Sequence, residues 1–186
     1  MKQLILGGAR SGKTSLALQR AADWTRANPH GQVVYVATAQ AGDDEMARRI
    51  QHHRDERPTD WLTVEEPLAL ADILIAHDSD QYCLLIDCLT LWITNLLVLE
   101  DSAVLDAQLA QFERAVAATH ATLIVVSNET GLGVVPLGAL SRQFVDQSGF
   151  LHQRLAQVCD RVTLTVAGLP LELKPSTTDL QVTADD

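Results

Sequence analysis

Apolar positions along the chain fall into two recurring patterns. Short β-branched or leucine-rich runs occur at Gln3 to Leu6, Val33 to Ala37, Cys83 to Ile86, Thr122 to Val126, Val162 to Val166 and Leu171 to Lys174. Between them lie longer stretches whose apolar residues recur every three or four positions, as at Leu105, Leu109, Phe112 and Val116, and again at Leu140, Phe144, Leu151, Leu155 and Val158. The first pattern predicts strands and the second predicts helices with one face in a core. Their alternation predicts an α/β fold, a mostly parallel sheet flanked by helices. The last two strands are separated only by Ala167-Gly168-Leu169-Pro170, too short for a parallel crossover, so they are expected to form an antiparallel edge hairpin near the C-terminus.

Composition narrows the class. With 186 residues, 47% of them hydrophobic, the chain can bury a sizeable core but not two ordinary ones, so residues 1–175 are read as a single domain. The polar, acidic stretch 176–186 is read as a flexible tail. A net charge of -10 argues against nucleic acid as a partner, because it repels a phosphate backbone. The three cysteines, Cys83, Cys88 and Cys159, lack C-x-x-C spacing and sit in apolar segments, which suits reduced thiols. The run from Cys83 to Leu99 is interrupted by Asp87, Thr90, Thr94 and Asn95 and falls short of the roughly 20 apolar residues of a membrane span. The N-terminus lacks the roughly 7-residue apolar core of a signal peptide, and a cytoplasmic location is expected.

The first candidate chemistry lies directly after the first strand. Gly7, Gly8, Ala9, Arg10, Ser11, Gly12, Lys13 and Thr14 satisfy the spacing G-x-x-x-x-G-K-[ST], with Leu4-Ile5-Leu6 as the strand that this motif requires. Glycines let backbone N–H groups turn inward around phosphate oxygens, and the helix that follows adds its positive end. Lys13 is then placed to bridge the terminal phosphates, and the Thr14 hydroxyl to ligate Mg²⁺. A second Mg²⁺ partner is expected at the end of a neighbouring strand, and Leu84-Leu85-Ile86-Asp87 has that form. The competing role for Asp87 is that of a helix N-cap or turn residue.

The charged segment from Ala41 to Glu66 lies beyond a strand end, where doubly wound proteins place functional loops. Within it an acidic start at Asp43 and a cationic end near Arg57 match a helix macrodipole, predicting a helix through about His53. Arg48, Arg49, Arg54 and Arg57 are four of the chain's 14 basic residues, a concentration suited to a triphosphate. Spacing alone also allows a solvated charged helix with idle histidines. His52 and His53 are adjacent and point to different faces, which disfavours a paired zinc site.

Together these residues resemble one family, the bifunctional adenosylcobinamide kinase/adenosylcobinamide-phosphate guanylyltransferases of cobalamin biosynthesis. The resemblance spans nearly the whole chain. It rests on Gly7 to Thr14, on Tyr35-Val36-Ala37-Thr38-Ala39-Gln40, on Asp44-Glu45-Met46 through His52-His53-Arg54, on Leu85-Ile86-Asp87-Cys88-Leu89-Thr90, and on Ser127-Asn128-Glu129-Thr130-Gly131-Leu132-Gly133-Val134-Val135-Pro136. It implies a RecA-like P-loop NTPase fold, a homotrimer, and two reactions. Adenosylcobinamide is phosphorylated with ATP or GTP. GMP then passes from GTP, through a guanylylated histidine that maps to His53, to adenosylcobinamide phosphate. The implied nucleotide contacts are Gly7 to Thr14, Thr38, Ala39, Gln40, Arg54, Asp55, Glu56, Arg57, Glu65 and Asp87, with Lys13 and His53 catalytic and Thr14 and Asp87 on Mg²⁺. The chain departs from the family pattern at Asp87, where glutamate is common, at Ala39, where serine also occurs, and at His152, where asparagine is expected. Burial of the apolar helix Thr90 to Leu99 at a subunit contact is a further expectation.

Overall fold

A computed structural model of the chain describes residues 1–40, 48, 51, 54 and 57–176. Seven strands form one sheet: β1 (Lys2–Gly7), β2 (Gln32–Ala37), β3 (Leu62–Glu65), β4 (Tyr82–Asp87), β5 (Thr122–Asn128), β6 (Arg161–Val166) and β7 (Leu169–Lys174). Their order is β3-β2-β4-β5-β1-β6-β7, and every pairing is parallel except β6 with β7. The α/β expectation, with its mostly parallel sheet and C-terminal antiparallel hairpin, is therefore met. The apolar runs explain the centre of the sheet. Leu4, Ile5 and Leu6 on β1 and Leu84, Leu85 and Ile86 on β4 are all buried, as strands covered on both faces require.

The helices whose full extent is described cover those faces: α1 (Lys13–Ala27), α2 (Leu70–Ala76), α3 (Leu89–Val98), α4 (Ser102–Ala118) and α5 (Ala139–Val158). Alternate strand residues enter two separate cores. Ile5, Tyr35, Leu85, Ile124 and Val126 pack with Ala17 and Ala21 of α1. Leu4, Val36, Leu84 and Ile86 pack on the other side with Trp92, Phe112 and Leu151 from α3, α4 and α5. The Trp92 and Phe112 rings meet at 4.9 Å, and the Trp92 indole donates to Leu68 O. The period read in α4 is borne out by the burial of Leu105, Leu109, Phe112 and Val116. In α5 it holds for Leu151 and Leu155, whereas Leu140 and Val158 near its ends are exposed.

Two local expectations are corrected. Residues 62–65 were read as part of a functional loop but form the edge strand β3, whose mostly exposed side chains weaken any apolar signal. The β6–β7 turn is shorter than the four residues predicted. Val166 pairs with Leu169, leaving only Ala167 and Gly168, both with positive φ as a primed two-residue turn demands. Pro170 then lies within β7, tolerable because β7 is an edge strand. Separately, Leu89, Trp92, Ile93, Leu96 and Leu97 of α3 are buried in the core of the chain, while Val98 and Leu99 at its end are exposed.

Parallel register brings the functional strand ends to one edge. Gly7 pairs with Asn128 and Thr165, and Ala37 pairs with both Glu65 and Asp87. No helix among the described residues is long and apolar enough to cross a membrane.

Candidate phosphate and metal site

The loop between β1 and α1 is held from outside as well as by its own sequence. At Gly7, φ is +154°, and a Cβ there would lie 2.4 Å from Thr165 Oγ1 and 2.5 Å from Thr165 O, so a side chain is sterically refused. Ser11 Oγ shares a hydrogen bond with Thr165 Oγ1 at 2.8 Å, while Gly168 N donates to Ser11 O at 3.0 Å. At Gly12, with φ +95°, an added Cβ would sit 3.2 Å from Gly168 Cα. The β6–β7 hairpin thus buttresses the loop at Gly7, Ser11 and Gly12, a support that no local signal in residues 7–14 could disclose.

Lys13 and Thr14 open α1 at the mouth of this loop. Lys13 is buried, and its Nζ donates to Gly8 O at 2.5 Å, which curls the side chain over the loop. Burial holds its ammonium below the usual lysine range, with the neighbouring Cys88 and Asp87 opposing that shift. A cation so placed and partly stripped of water favours an anionic ligand.

Thr14 Oγ1 donates to Asp87 Oδ2 at 3.1 Å, bringing together the two residues expected at Mg²⁺. Asp87 is not the cap of α3, because Cys88 occupies the N-cap position. Adjacent hydroxyl and carboxylate oxygens are hard donors of the kind Mg²⁺ takes alongside substrate phosphates, so these residues fit that ion. A second hydroxyl, that of Tyr35, donates to the same Oδ2 at 2.7 Å. Burial pushes the Tyr35 phenol far above its usual range, and the Asp87 charge adds to the shift. Sequence reasoning gave Tyr35 no role.

The remaining expected site residues divide into three groups. Thr38 is fully buried; its Oγ1 donates to Cys88 O at 2.8 Å and accepts from Cys88 N at 2.9 Å, while Asn95 Nδ2 donates to its carbonyl. It braces the ends of β2 and β4, with Ala39 half-buried and Gln40 exposed just beyond. Arg54 and Glu65 form an exposed ion pair, and Arg57 lays its guanidinium 3.8 Å above the Tyr35 ring. The Arg57 Nε is buried and has no hydrogen-bond partner among the described residues, an unmet donor over the ring whose hydroxyl holds Asp87. In the segment read as a helix through about His53, Arg48, Gln51 and Arg54 are helical. His53, Asp55 and Glu56 lie outside the described residues, as does His52.

A second polar cluster flanks the loop on β5. Glu129 N donates to Gly7 O at 3.0 Å, and one Glu129 carboxylate oxygen accepts from Gly131 N. Its other oxygen lies 3.8 Å from His152 Nδ1, and His152 Nε2 is 2.8 Å from Ser127 Oγ. Burial lowers the His152 pKa, opposed by Glu129. His152 therefore fills with a ring the place where the family pattern leads one to expect asparagine.

This geometry agrees with what comparison of the sequence with known proteins finds. The family model described as cobinamide kinase/cobinamide phosphate guanyltransferase matches residues 3–173. The chain is 55% identical to the bifunctional adenosylcobalamin biosynthesis protein CobP of Pseudomonas aeruginosa, over 94% of this chain and 98% of that protein. It is 39% and 36% identical to the bifunctional adenosylcobalamin biosynthesis proteins CobU of Salmonella typhimurium and Escherichia coli, over 94% of this chain and all of each relative.

Proposed function

The chain belongs to the cobinamide kinase/cobinamide phosphate guanyltransferase family, and on that premise we propose that one nucleotide site serves both reactions. It is a bifunctional kinase and guanylyltransferase of adenosylcobalamin biosynthesis. In the first reaction the aminopropanol hydroxyl of adenosylcobinamide attacks the γ-phosphorus of ATP or GTP and gives up its proton to solvent, the bond from that phosphorus to the β-phosphate oxygen breaks, and ADP or GDP leaves. Lys13 exchanges Gly8 O for phosphate oxygens, and the backbone N–H groups of Gly8 to Thr14 hold the rest of the chain of phosphates. Mg²⁺ held by Thr14 and Asp87 would supply further charge neutralisation. The observation that carries this reading is the meeting of Lys13, Thr14 and Asp87 at one edge of the sheet.

In the second reaction a neutral His53 imidazole attacks the α-phosphorus of GTP and pyrophosphate leaves. The resulting phosphoramidate then gives GMP to the phosphate of adenosylcobinamide phosphate, forming adenosylcobinamide-GDP and freeing the imidazole. Arg54 and Arg57 stand at the edge of this site, with Arg57 Nε unpartnered among the described residues, and we assign them to phosphate oxygens. Residues 1–175 act as one catalytic domain, and the assembly is a homotrimer.

Incubation with Mg²⁺-GTP is expected to leave a GMP adduct, stable in base and lost in mild acid, detectable by intact mass. His53→Asn abolishes the adduct and His52→Asn does not. Survival of the adduct in His53→Asn would overturn the assignment. Kinase activity with no adduct on the wild-type protein would instead favour a simple P-loop small-molecule kinase.

A further inference from the structure

Asp87 Oδ2 accepts two hydroxyl protons, one from Thr14 at 3.1 Å and one from Tyr35 at 2.7 Å. An ionised carboxylate oxygen offers about two lone pairs, so Oδ2 is filled and a further ligand of the carboxylate falls to Oδ1. Thr14 belongs to the phosphate loop itself, and its oxygen turns toward any cation bound there. Tyr35 belongs to the sheet. It lies on β2 two residues before Ala37, the register partner of Asp87, and its own partner is Leu85. Period-two alternation therefore puts Tyr35, Ala37, Leu85 and Asp87 on one face, toward α1.

The ring of Tyr35 is packed in the core with Ala17, Ala21 and Leu85, and only its hydroxyl end reaches the site. Phenylalanine would fill the same volume, so packing alone does not require the phenol oxygen. A buried phenol demands a partner, and here the partner is the carboxylate expected to serve the metal. The opposite, π-face of the same ring carries the Arg57 guanidinium at 3.8 Å. One rigid, two-torsion side chain thus fixes both a carboxylate and a phosphate-seeking cation.

We propose that Tyr35 is the positioning residue of the Mg²⁺–nucleotide site: its hydroxyl orients the Asp87 carboxylate through Oδ2, and its ring seats Arg57. This inference rests on the assignment of Asp87 to Mg²⁺ made above. Removing the hydroxyl lets the carboxylate rotate about its terminal torsion, which weakens metal-assisted binding and leaves the loop's own grip on phosphate intact. Losses of roughly tenfold or more follow when a metal ligand loses its outer hydrogen-bond partner.

The test compares wild type, Tyr35→Phe and Asp87→Asn for binding of a fluorescent non-hydrolysable GTP analogue, with Mg²⁺ and with chelator. The readout is the factor by which Mg²⁺ tightens binding. Tyr35→Phe is expected to keep the wild-type affinity in chelator and to lose about tenfold of the Mg²⁺-dependent tightening. Its thermal midpoint in the absence of nucleotide checks that the fold is retained. If Tyr35→Phe tightens with Mg²⁺ as strongly as wild type while Asp87→Asn does not, the positioning role is wrong and the metal assignment stands. If Asp87→Asn also tightens like wild type, the metal assignment itself has failed.

Discussion

At the scale of single residues, burial decides the behaviour of groups that composition cannot distinguish. His152, one of six histidines, is enclosed between Ser127 and Glu129 with its pKa lowered from 6.5 by burial. In the unfolded chain this imidazole takes a proton as pH falls through about 6.5, whereas in the folded protein it resists until lower pH. The unfolded state therefore binds more protons in that window, and stability falls as pH is lowered. Urea midpoints at pH 7.5 and 5.5 should show a drop in wild type that is smaller in His152→Asn, by at most about 1.4 kcal/mol per pH unit from this group. The glycines, Lys13, Thr14 and Asp87 were legible because each chemical role demands its residue type at a set spacing. Tyr35 was not, because its function depends on which atom stands opposite its hydroxyl, a fact about β4 and not about β2.

Among the elements, the least expected dependence is that of the phosphate loop on the C-terminal hairpin. The loop's first glycine faces Thr165 so closely that Gly7→Ala forces β6 or the loop to shift, at a cost of about 1–3 kcal/mol. Gly8, one residue on, has nothing within 4 Å of an added Cβ. Differential scanning fluorimetry without nucleotide should therefore show a lowered midpoint for Gly7→Ala and little change for Gly8→Ala. Strands β1, β2, β4, β5 and β6 were readable as apolar runs because parallel strands are buried on both faces. The edge strand β3 lacks that burial and so lacks the run, and the hairpin turn was misjudged because Leu169 and Pro170 look like turn residues while pairing as strand.

For the whole molecule, the segment after β5 poses the main question of assembly. Leu132, Val134 and Leu137 are 83%, 95% and 98% exposed, with Val135 and Leu140 also open, an apolar surface of the kind that associates. Contact between copies at this segment is the expected basis of the proposed homotrimer, since most apolar residues of α3 are already buried within its own chain. Light scattering coupled to size exclusion should give three times the 20.3 kDa chain mass, and Leu137→Asp should shift that mass toward the monomer. The sequence by itself determined the alternation of strands and helices, the phosphate loop and the acidic strand end. Those follow from local periodicity and from chemical roles that only one or two residue types can fill. Tertiary structure alone decided that Asp87 meets Thr14 across 73 positions and Tyr35 across 52, and that Ser11 rests on Thr165 across 154. Parallel register makes those contacts, and register depends on how distant strands bury their faces together.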